Sequence, residues 1–176
     1  GRERIEETID PEQAIDRALM RMSHEIIEKN QDEKEICLFG ILRRGVPALL
    51  LGALDAVSGG FEYEDVFRCL KTGLAGLSMA ECDILENYAL KWEIRGAMWT
   101  RETPWSAHPD GYGEEWTDEA RARLKTVNAL HERVQGPFAR LKKGVGGSGE
   151  AEQKVRALYG YLEEIKLPEV LQTQTE

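Results

Sequence analysis

The sequence predicts a mainly α fold, a helical bundle-like array with at most one or two short strands near residues 36–41. Three observations lead to this prediction. Apolar residues recur at helical spacing along most of the chain. Residues that favour helix N-caps stand in front of those stretches. Only the run ICLFGIL at residues 36–42 has the length and composition of a buried strand.

The first predicted helix begins at Asp10. This residue is a good N-cap, Pro11 suits the first helical position, and Gln13 can complete a capping box. An apolar face follows at helical spacing and comprises Ile15, Ala18, Leu19, Met22 and Ile26. The pattern ends near residues 28–30, where the polar loop QDEKE begins.

The segment Arg43-Arg44-Gly45 follows the strand-like run and is predicted to turn the chain into an apolar helix from Val46 to Val57. A glycine turn behind a buried strand lets backbone N–H groups approach an anion, and guanidinium groups bind phosphate in bidentate fashion. The alternative is a solvated basic turn. A lone strand cannot complete its hydrogen-bond ladder, so a frayed strand, or one absorbed into the helix, is a further alternative.

The rest of the chain is predicted to be helical. A Ser58-Gly59-Gly60 turn precedes a short helix that reaches Thr72-Gly73, and Ser78 with Glu81 forms a capping box for the next helix, which ends near Arg95-Gly96. Thr117 is predicted to cap a longer helix that Gly136-Pro137 kinks or splits. Residues 144–149 (GVGGSG) have the composition of a flexible linker, and a last helix runs towards Leu167-Pro168. The predicted core positions of these helices are Tyr63, Val66, Phe67, Leu70, Cys82, Leu85, Tyr88, Ala89, Trp92, Leu124, Val127, Leu130, Val134, Phe138, Leu141, Val155, Leu158, Tyr159, Leu162 and Ile165.

Residues 99–116 form a predicted long loop that is rich in aromatic residues, glycine and proline. Loops of this length are usually functional or are packed by their own side chains. Four tryptophans lie in or beside it, Trp92, Trp99, Trp105 and Trp116. They either offer stacking platforms for bases or pin the loop to a helical core, and we favour the second interpretation.

Charge and cysteine content limit the possible functions. The net charge is −9, which argues against a free-standing nucleic-acid binder, so any contact with nucleic acid would be local or supplied by a partner. Cys37, Cys69 and Cys82 contain no C-x-x-C pair and are predicted to be reduced thiols. Together with the charged N-terminal stretch GRERIEETID, which does not read as a secretory signal, they predict a cytoplasmic protein.

The three histidines do not predict a metal site. His24, His108 and His131 are far apart in sequence and lack ligand spacing, so surface or internally hydrogen-bonded histidines are expected.

Residues 9–50 resemble the start of the PyrR family, pyrimidine operon attenuators with uracil phosphoribosyltransferase activity. The segments that carry the resemblance are IDPEQAIDRALMRMSHEIIEKN and ICLFGILRRGVPALL. It implies that Arg43-Arg44-Gly45 lies beside the pyrophosphate end of phosphoribosyl diphosphate. The family also needs two acids before a Thr-Gly-rich loop, and residues 51–176 contain no such motif, so the transferase site is incomplete.

From about residue 54 to residue 176 the chain resembles the AddB-type subunit of the bacterial ATP-dependent helicase/deoxyribonuclease. The segments are ALDAVSGGFEYEDVFRCLKTGLAGL, ECDILENYALKWEIRGAMWTRETPW, VNALHERVQGP and ALYGYLEEIKLPE. The resemblance implies that this segment corresponds to an internal, mostly helical part of the helicase-like region of such a subunit. The implied partners in double-strand break repair and recombination are double-stranded DNA and the A-type helicase/nuclease subunit of the same complex. It also implies that ATP, Mg²⁺ and an iron–sulfur cluster belong to the parent complex and lie outside this segment.

We therefore predict a chimera, with an incomplete phosphoribosyltransferase-like piece at residues 1–50 joined near Leu49–Ala53 to a helical segment at residues 51–176. The predicted function is that of a non-catalytic fragment of an AddB-type protein, and a PyrR-like regulator is the alternative. The candidate contacts to phosphate or nucleic acid are Arg43, Arg44, Arg68 and Lys71. For Arg68 and Lys71 the simpler alternative is a pair of cations favoured by the dipole at a helix C-terminus.

Overall fold

The computed structural model describes residues 17, 21, 36–146 and 151–165. The helix predicted to begin at Asp10 lies outside the described residues, apart from Arg17 and Arg21, which are both helical. His24, residues 147–150 of the predicted linker and the Leu167-Pro168 end of the last helix are also outside the described residues.

Between residues 36 and 165 the described chain contains five helices and one short 3₁₀ turn. They are α1 (Ile36–Ser58), α2 (Tyr63–Leu70), α3 (Met79–Lys91), the 3₁₀ turn (Gly96–Met98), α4 (Asp118–Val145) and α5 (Ala151–Glu164). Helix α1 packs on α2 and α4, α4 packs on α3 and α5, and α2 contacts α3. Since the described residues contain no strand, the mainly α prediction is confirmed.

The strand predicted at residues 36–42 is wrong, and so is the turn at Arg43-Arg44-Gly45. Helix α1 begins at Ile36 and continues through all of these residues, with Pro47 inside it. The alternative, absorption of the run into a helix, is confirmed. A helix satisfies its backbone hydrogen bonds within itself, whereas a strand needs a neighbour that the described residues do not supply. Pro47 cannot make the bond that an N–H at its position would make, and its ring crowds the carbonyl one turn earlier, yet the helix continues through it.

A tight turn joins α1 to α2 and places an aromatic ring in the core. Gly60 and Phe61 both have positive φ, 81° and 57°, and the Phe61 N–H donates to the Ala56 carbonyl at 2.7 Å. The Phe61 ring is buried and lies 5.4 Å from that of Phe138, between ring centroids. The predicted Ser58-Gly59-Gly60 turn therefore exists, and burial of Phe61 offsets its left-handed backbone.

The predicted N-caps Ser78 and Thr117 are present, whereas the predicted N-cap Asp10 lies outside the described residues. The Ser78 hydroxyl accepts a hydrogen bond from the Glu81 N–H, and the Glu81 carboxylate accepts one from the Ser78 N–H, which completes the capping box of α3. The Thr117 hydroxyl accepts from the Ala120 N–H at 3.1 Å and caps α4. Each cap satisfies N–H groups that would otherwise have no partner at the helix start.

Helix α4 is longer than predicted. Pro137 lies inside one helix of 28 residues, so Gly136-Pro137 does not split it, and Gly144 and Val145 of the predicted linker belong to its last turn. A Cβ added at Gly144 would lie 2.7 Å from the Ala157 Cβ. The last turn of α4 therefore needs glycine, because α5 crosses it so closely.

Glycine is also required where α1 crosses α2. A Cβ added at Gly52 would lie 2.9 Å from the backbone nitrogen of Cys69. Backbone atoms cannot move aside as the end of a flexible side chain can. With any side chain at position 52, α1 and α2 could therefore not keep their present spacing.

We expect Gly52→Ala to lower the free energy of unfolding by about 1–3 kcal/mol, because the added methyl group overpacks a buried helix crossing. Gly160→Ala is the matched control. Gly160 also lies in a helix, but a Cβ there meets nothing within 4 Å, so the better helix propensity of alanine should raise stability by about 0.5–1 kcal/mol. Urea denaturation of both variants measures the two effects. Equal shifts in the same direction would contradict the tight crossing.

Candidate functional site

Arg68, a predicted phosphate contact, bridges two helices in the structure. Its guanidinium lies 3.0 Å from the Asp55 carboxylate on α1 and 2.6 Å from that of Asp65, one turn earlier on α2. The three side chains are partly exposed. Arg68 therefore already binds two carboxylates within the chain.

Lys71, the second cation of this pair, belongs to a different cluster. The Lys71 ammonium lies 2.7 Å from the Glu86 carboxylate on α3, and the same carboxylate accepts a hydrogen bond from the Tyr63 hydroxyl. These bonds lower the pKa of Glu86, the Lys71 bond first, and the bond to Glu86 raises the pKa of both Lys71 and Tyr63. The cluster joins α2 to α3 through one ionised carboxylate.

Arg43 and Arg44 lie in the second and third turns of α1. Their backbones are helical, so they do not form the glycine turn that would place backbone N–H groups against a phosphate. The described parts of these residues do not include their side chains. Their assignment as phosphate contacts stays a prediction.

The loop at residues 99–116 is held by side chains that bind its backbone. On one side, Asn128 accepts from the Trp105 N–H at 2.8 Å and donates to the Trp105 carbonyl at 2.9 Å. On the other side, helix α3 donates from the Tyr88 hydroxyl to the Ala107 carbonyl at 3.0 Å and from the Lys91 ammonium to the Pro109 carbonyl at 2.9 Å. Such bonds fix a loop that has no regular backbone pairing of its own.

Three of the tryptophans tie this loop to the helices, and the fourth is partly exposed. Trp99 is fully buried, Trp105 is buried, and the Trp92 indole donates to the His108 carbonyl at 2.9 Å. Trp116 remains 40% exposed, with its ring 4.4 Å from that of His108. For Trp92, Trp99 and Trp105 the geometry agrees with the pinning interpretation.

His131 and His108 are both buried and hydrogen-bonded, as expected for internal histidines. The His131 ring stacks on Trp105, with the centroids 3.9 Å apart, and its Nε2 donates to the Trp99 carbonyl at 3.1 Å. Burial lowers the pKa of His131, and that hydrogen bond partly offsets the effect. In His108, Nδ1 accepts from the Asp110 N–H, so the neutral ring carries its proton on Nε2 and donates it to the Glu115 carbonyl.

The buried thiols are protonated and packed. The Cys69 sulfur lies 3.4 Å from the Tyr161 hydroxyl, and the Cys82 thiol donates to the Leu70 carbonyl at 3.2 Å. Burial raises the pKa of Cys69 to about 12 and that of Cys82 to about 11. Because the thiolate is the reactive form, neither sulfur is set up as a nucleophile.

Two open clefts flank helix α4. One, of about 550 Å³, lies between α3, α4 and the loop, with Ile84, Lys91, Asp110, Arg123 and Val127 among its lining residues. The Arg123 guanidinium binds the Asp110 carboxylate with both terminal nitrogens, which lowers the pKa of Asp110. The other cleft, of about 540 Å³, is lined by residues that include Lys125, Asn128 and His131.

Neither cleft contains a recognisable metal centre. Among the described residues, no group of three or more histidine, cysteine, aspartate or glutamate side chains is placed to hold a metal ion. In the same part of the chain, every helix is too short or too polar to cross a membrane.

Comparison with known proteins identifies relatives of most of this chain. It is 33% identical over 131 residues to the AddB-type subunit of the ATP-dependent helicase/deoxyribonuclease from Clostridium kluyveri, which covers 73% of this chain and 11% of that protein. The corresponding protein of Heliobacterium modesticaldum is 37% identical over 127 residues, covering 69% of this chain and 10% of that protein. That of Acetivibrio thermocellus is 33% identical over 137 residues, covering 77% and 12%.

The chain is similar to a segment of these AddB-type proteins. It spans about a tenth of the length of these relatives. No protein-family model matches it. The predicted resemblance to the AddB type is therefore confirmed, whereas the resemblance to the PyrR family and the chimera gain no support from these relatives.

Sequence reasoning missed the residues that join the elements to one another. Arg133 on α4 donates to the Gly76 carbonyl and binds the Glu81 carboxylate, so one side chain links α4 to the loop before α3 and to its capping box. Asn128 and Asp110 were also missed. No periodic pattern in the sequence marks the positions of Asn128 and Asp110. The triplet Gly111-Tyr112-Gly113, in contrast, is a local sequence signal for a turn in the loop.

We expect the stability of the protein to fall as the pH drops below about 6.5, in part because of His131. Its pKa is lowered in the folded state, so below that pH the unfolded chain binds a proton that the folded chain does not. The free energy of unfolding therefore falls as the pH falls, by at most about 1.4 kcal/mol per pH unit for one proton. Replacing His131 with glutamine keeps a donor for the Trp99 carbonyl but removes the titration.

The measurement is urea denaturation of wild type and His131→Gln at about pH 7.5 and about pH 5. The stability advantage of the wild type should shrink at the lower pH. Parallel pH profiles for the two proteins would contradict a histidine that is kept neutral by burial.

Proposed function

We propose that this chain is a non-catalytic structural segment of an AddB-type protein that acts, as part of an ATP-dependent helicase/deoxyribonuclease, in double-strand break repair and recombination. The observation that carries the proposal is the 33–37% identity to AddB-type proteins over about three quarters of the chain. Under this proposal its partners are double-stranded DNA and the A-type helicase/nuclease subunit of the complex, and it works in the cytoplasm. ATP, Mg²⁺ and an iron–sulfur cluster would be held by other parts of the complex.

The histidine and cysteine side chains of the described chain are engaged in internal contacts, which supports a non-catalytic role. The His131 ring is stacked on Trp105 and donates its Nε2 proton to the Trp99 carbonyl, which fixes its orientation in the fold. His108 has both ring nitrogens engaged. Cys69 and Cys82 have thiol pKa values far above neutrality. His131 lines one of the clefts, but all four side chains are packed or hydrogen-bonded within the chain, which supports a role in fixing the fold.

We also propose that the helical unit extends past the predicted join into the first fifty residues. Val46, Leu49 and Leu50 are fully buried in the same core as Ala53 and Ala56, and all five lie on the continuous helix α1. A boundary at residues 50 and 51 would divide one buried helical face.

The four cations stay candidates for contact with DNA phosphate. Arg68 and Lys71 would have to give up their carboxylate partners, or bind phosphate while keeping them. We therefore propose that their main role is to hold α1, α2 and α3 together. Arg43 and Arg44 stay candidates from sequence alone.

We expect the purified chain to hydrolyse no ATP and to degrade no double-stranded DNA in the presence of Mg²⁺. It should nevertheless bind the A-type subunit encoded in the same genome, because the structural role requires an assembly. Nuclease assays with and without a chelator test the first part, and size-exclusion chromatography of the mixture tests the second. DNA degradation that the chelator abolishes would contradict the non-catalytic assignment.

For the cations, we expect Arg68→Ala to lower the free energy of unfolding by up to about 1 kcal/mol, because partly exposed ion pairs contribute little. Lys71→Ala should lower stability in the same direction. Binding of both variants to a short DNA duplex, measured at several salt concentrations, tests the phosphate contact. If each cation neutralises a phosphate, the salt dependence of binding should weaken by about one counterion per substitution. An unchanged salt dependence would leave Arg68 and Lys71 with only their structural role.

A further inference from the structure

The loop at residues 99–116 presents aromatic side chains to solvent from a fixed base. We define its tip as residues 111–116. Tyr112 is 95% exposed and Trp116 is 40% exposed. The other three tryptophans are buried or partly buried, and so are Phe61, Phe67 and Phe138. The side chain of Phe39 lies outside the described residues. Tyr112 and Trp116 are thus the exposed aromatic residues of the described chain, and Tyr112 is far the more exposed of the two.

The tip is held from several directions. Below it, Lys91 and Arg123 bind the backbone of Pro109 and the carboxylate of Asp110. His108 spans the tip, since its two nitrogens bond to the backbone at Asp110 and at Glu115. The tip is therefore braced at both ends.

The backbone around Tyr112 is shaped to project it. Gly111 and Gly113 both have positive φ, 124° and 79°, which glycine adopts without strain and other residues rarely do. No heavy atom lies within 4 Å of a Cβ added at Gly113. Crowding therefore does not explain the glycines there, whereas the sharp turn that lifts Tyr112 out of the surface does.

Exposed, braced aromatic side chains are typical of the centre of protein interfaces. Tyrosine and tryptophan bury a large area on binding, lose little side-chain entropy and are enriched among the residues that dominate binding energy. Charge then selects the class of partner. Glu114 and Glu115 are exposed beside Tyr112, so the phosphates of nucleic acid would be repelled, whereas arginine side chains could stack on the ring and bind the carboxylates.

We propose that the tip is a docking site for a cationic, arginine-bearing surface of the A-type subunit. The inference rests on the proposed function, which makes that protein the partner. Tyr112 enters the partner surface, Glu114 and Glu115 pair with its cations, and Trp116 adds apolar contact on one side. The rest of a longer AddB-type chain and nucleic acid are the competing occupants.

The experiment measures the affinity of the 176-residue chain for the purified A-type subunit encoded in the same genome, by isothermal titration at about 50 and 200 mM salt. Tyr112→Ala should weaken binding by about tenfold or more, on the scale of interface hot spots. Tyr112→Phe keeps the ring and should stay within about threefold of wild type. The double substitution E114Q/E115Q should weaken binding at low salt and flatten its salt dependence.

Two controls match these changes. The substitution Leu90→Ala removes an exposed apolar side chain, 53% exposed, from α3 outside the tip. The double substitution E102Q/E132Q changes the net charge as much as E114Q/E115Q does, at exposed positions outside the tip. Both controls should bind within about twofold of wild type, the level of peripheral contacts.

The outcomes separate the two proposals. If no complex with the A-type subunit forms, both the proposed function and the docking site fail. If the complex forms and Tyr112→Ala binds as tightly as wild type, only the docking site fails. If Tyr112→Ala instead lowers affinity for a short DNA duplex, the tip binds nucleic acid. If it leaves the complex intact but lowers the unfolding midpoint of a full-length AddB-type protein carrying this segment, the tip is covered within that chain. Either result overturns the proposal.

Discussion

Burial of the Trp99 ring is the constraint on which the rest of the described structure depends. Phe67 from α2, Phe138 from α4 and Trp105 from the loop all pack edge-on against it. Removing one large aromatic side chain from water contributes about 4–6 kcal/mol. Within the described chain the indole nitrogen of Trp99 has no hydrogen-bond partner, which costs about 1–3 kcal/mol. The balance favours burial, so helices and loop converge on this ring.

The loop that supplies Trp99 and Trp105 behaves as a structural element although it has no regular secondary structure. Helices α3 and α4 provide side chains that bind its carbonyl and N–H groups, so its polar backbone is satisfied next to a buried aromatic cluster. Stacking of Trp105 between Tyr88 and His131 adds ring contacts from the same two helices. The loop in turn packs against both α3 and α4, and it carries the exposed tip.

Several ion pairs on the surface of the described chain link one element to another. Arg68 joins α2 to α1, Lys71 joins the end of α2 to α3, and Arg133 joins α4 to the start of α3. Each pair is partly exposed and contributes little alone, but together they fix the relative positions of helices that share one core. Cations engaged in this way are less available for phosphate, whereas the exposed carboxylates of the tip can select a cationic partner.

The sequence by itself determined the helical class, the positions of most described helices and the N-caps Ser78 and Thr117. These features depend on neighbours within one or two turns, and apolar spacing and cap residues encode such neighbours directly. The same local reasoning failed at residues 36–45, because an apolar run of strand length fits strand or helix equally well until its partners are known.

Only the tertiary structure decided which groups meet across the chain. Examples are Arg68 with Asp55, Asn128 with the Trp105 backbone and Gly52 with Cys69. Such contacts depend on how whole helices cross, and residue spacing along the sequence carries no information about that geometry.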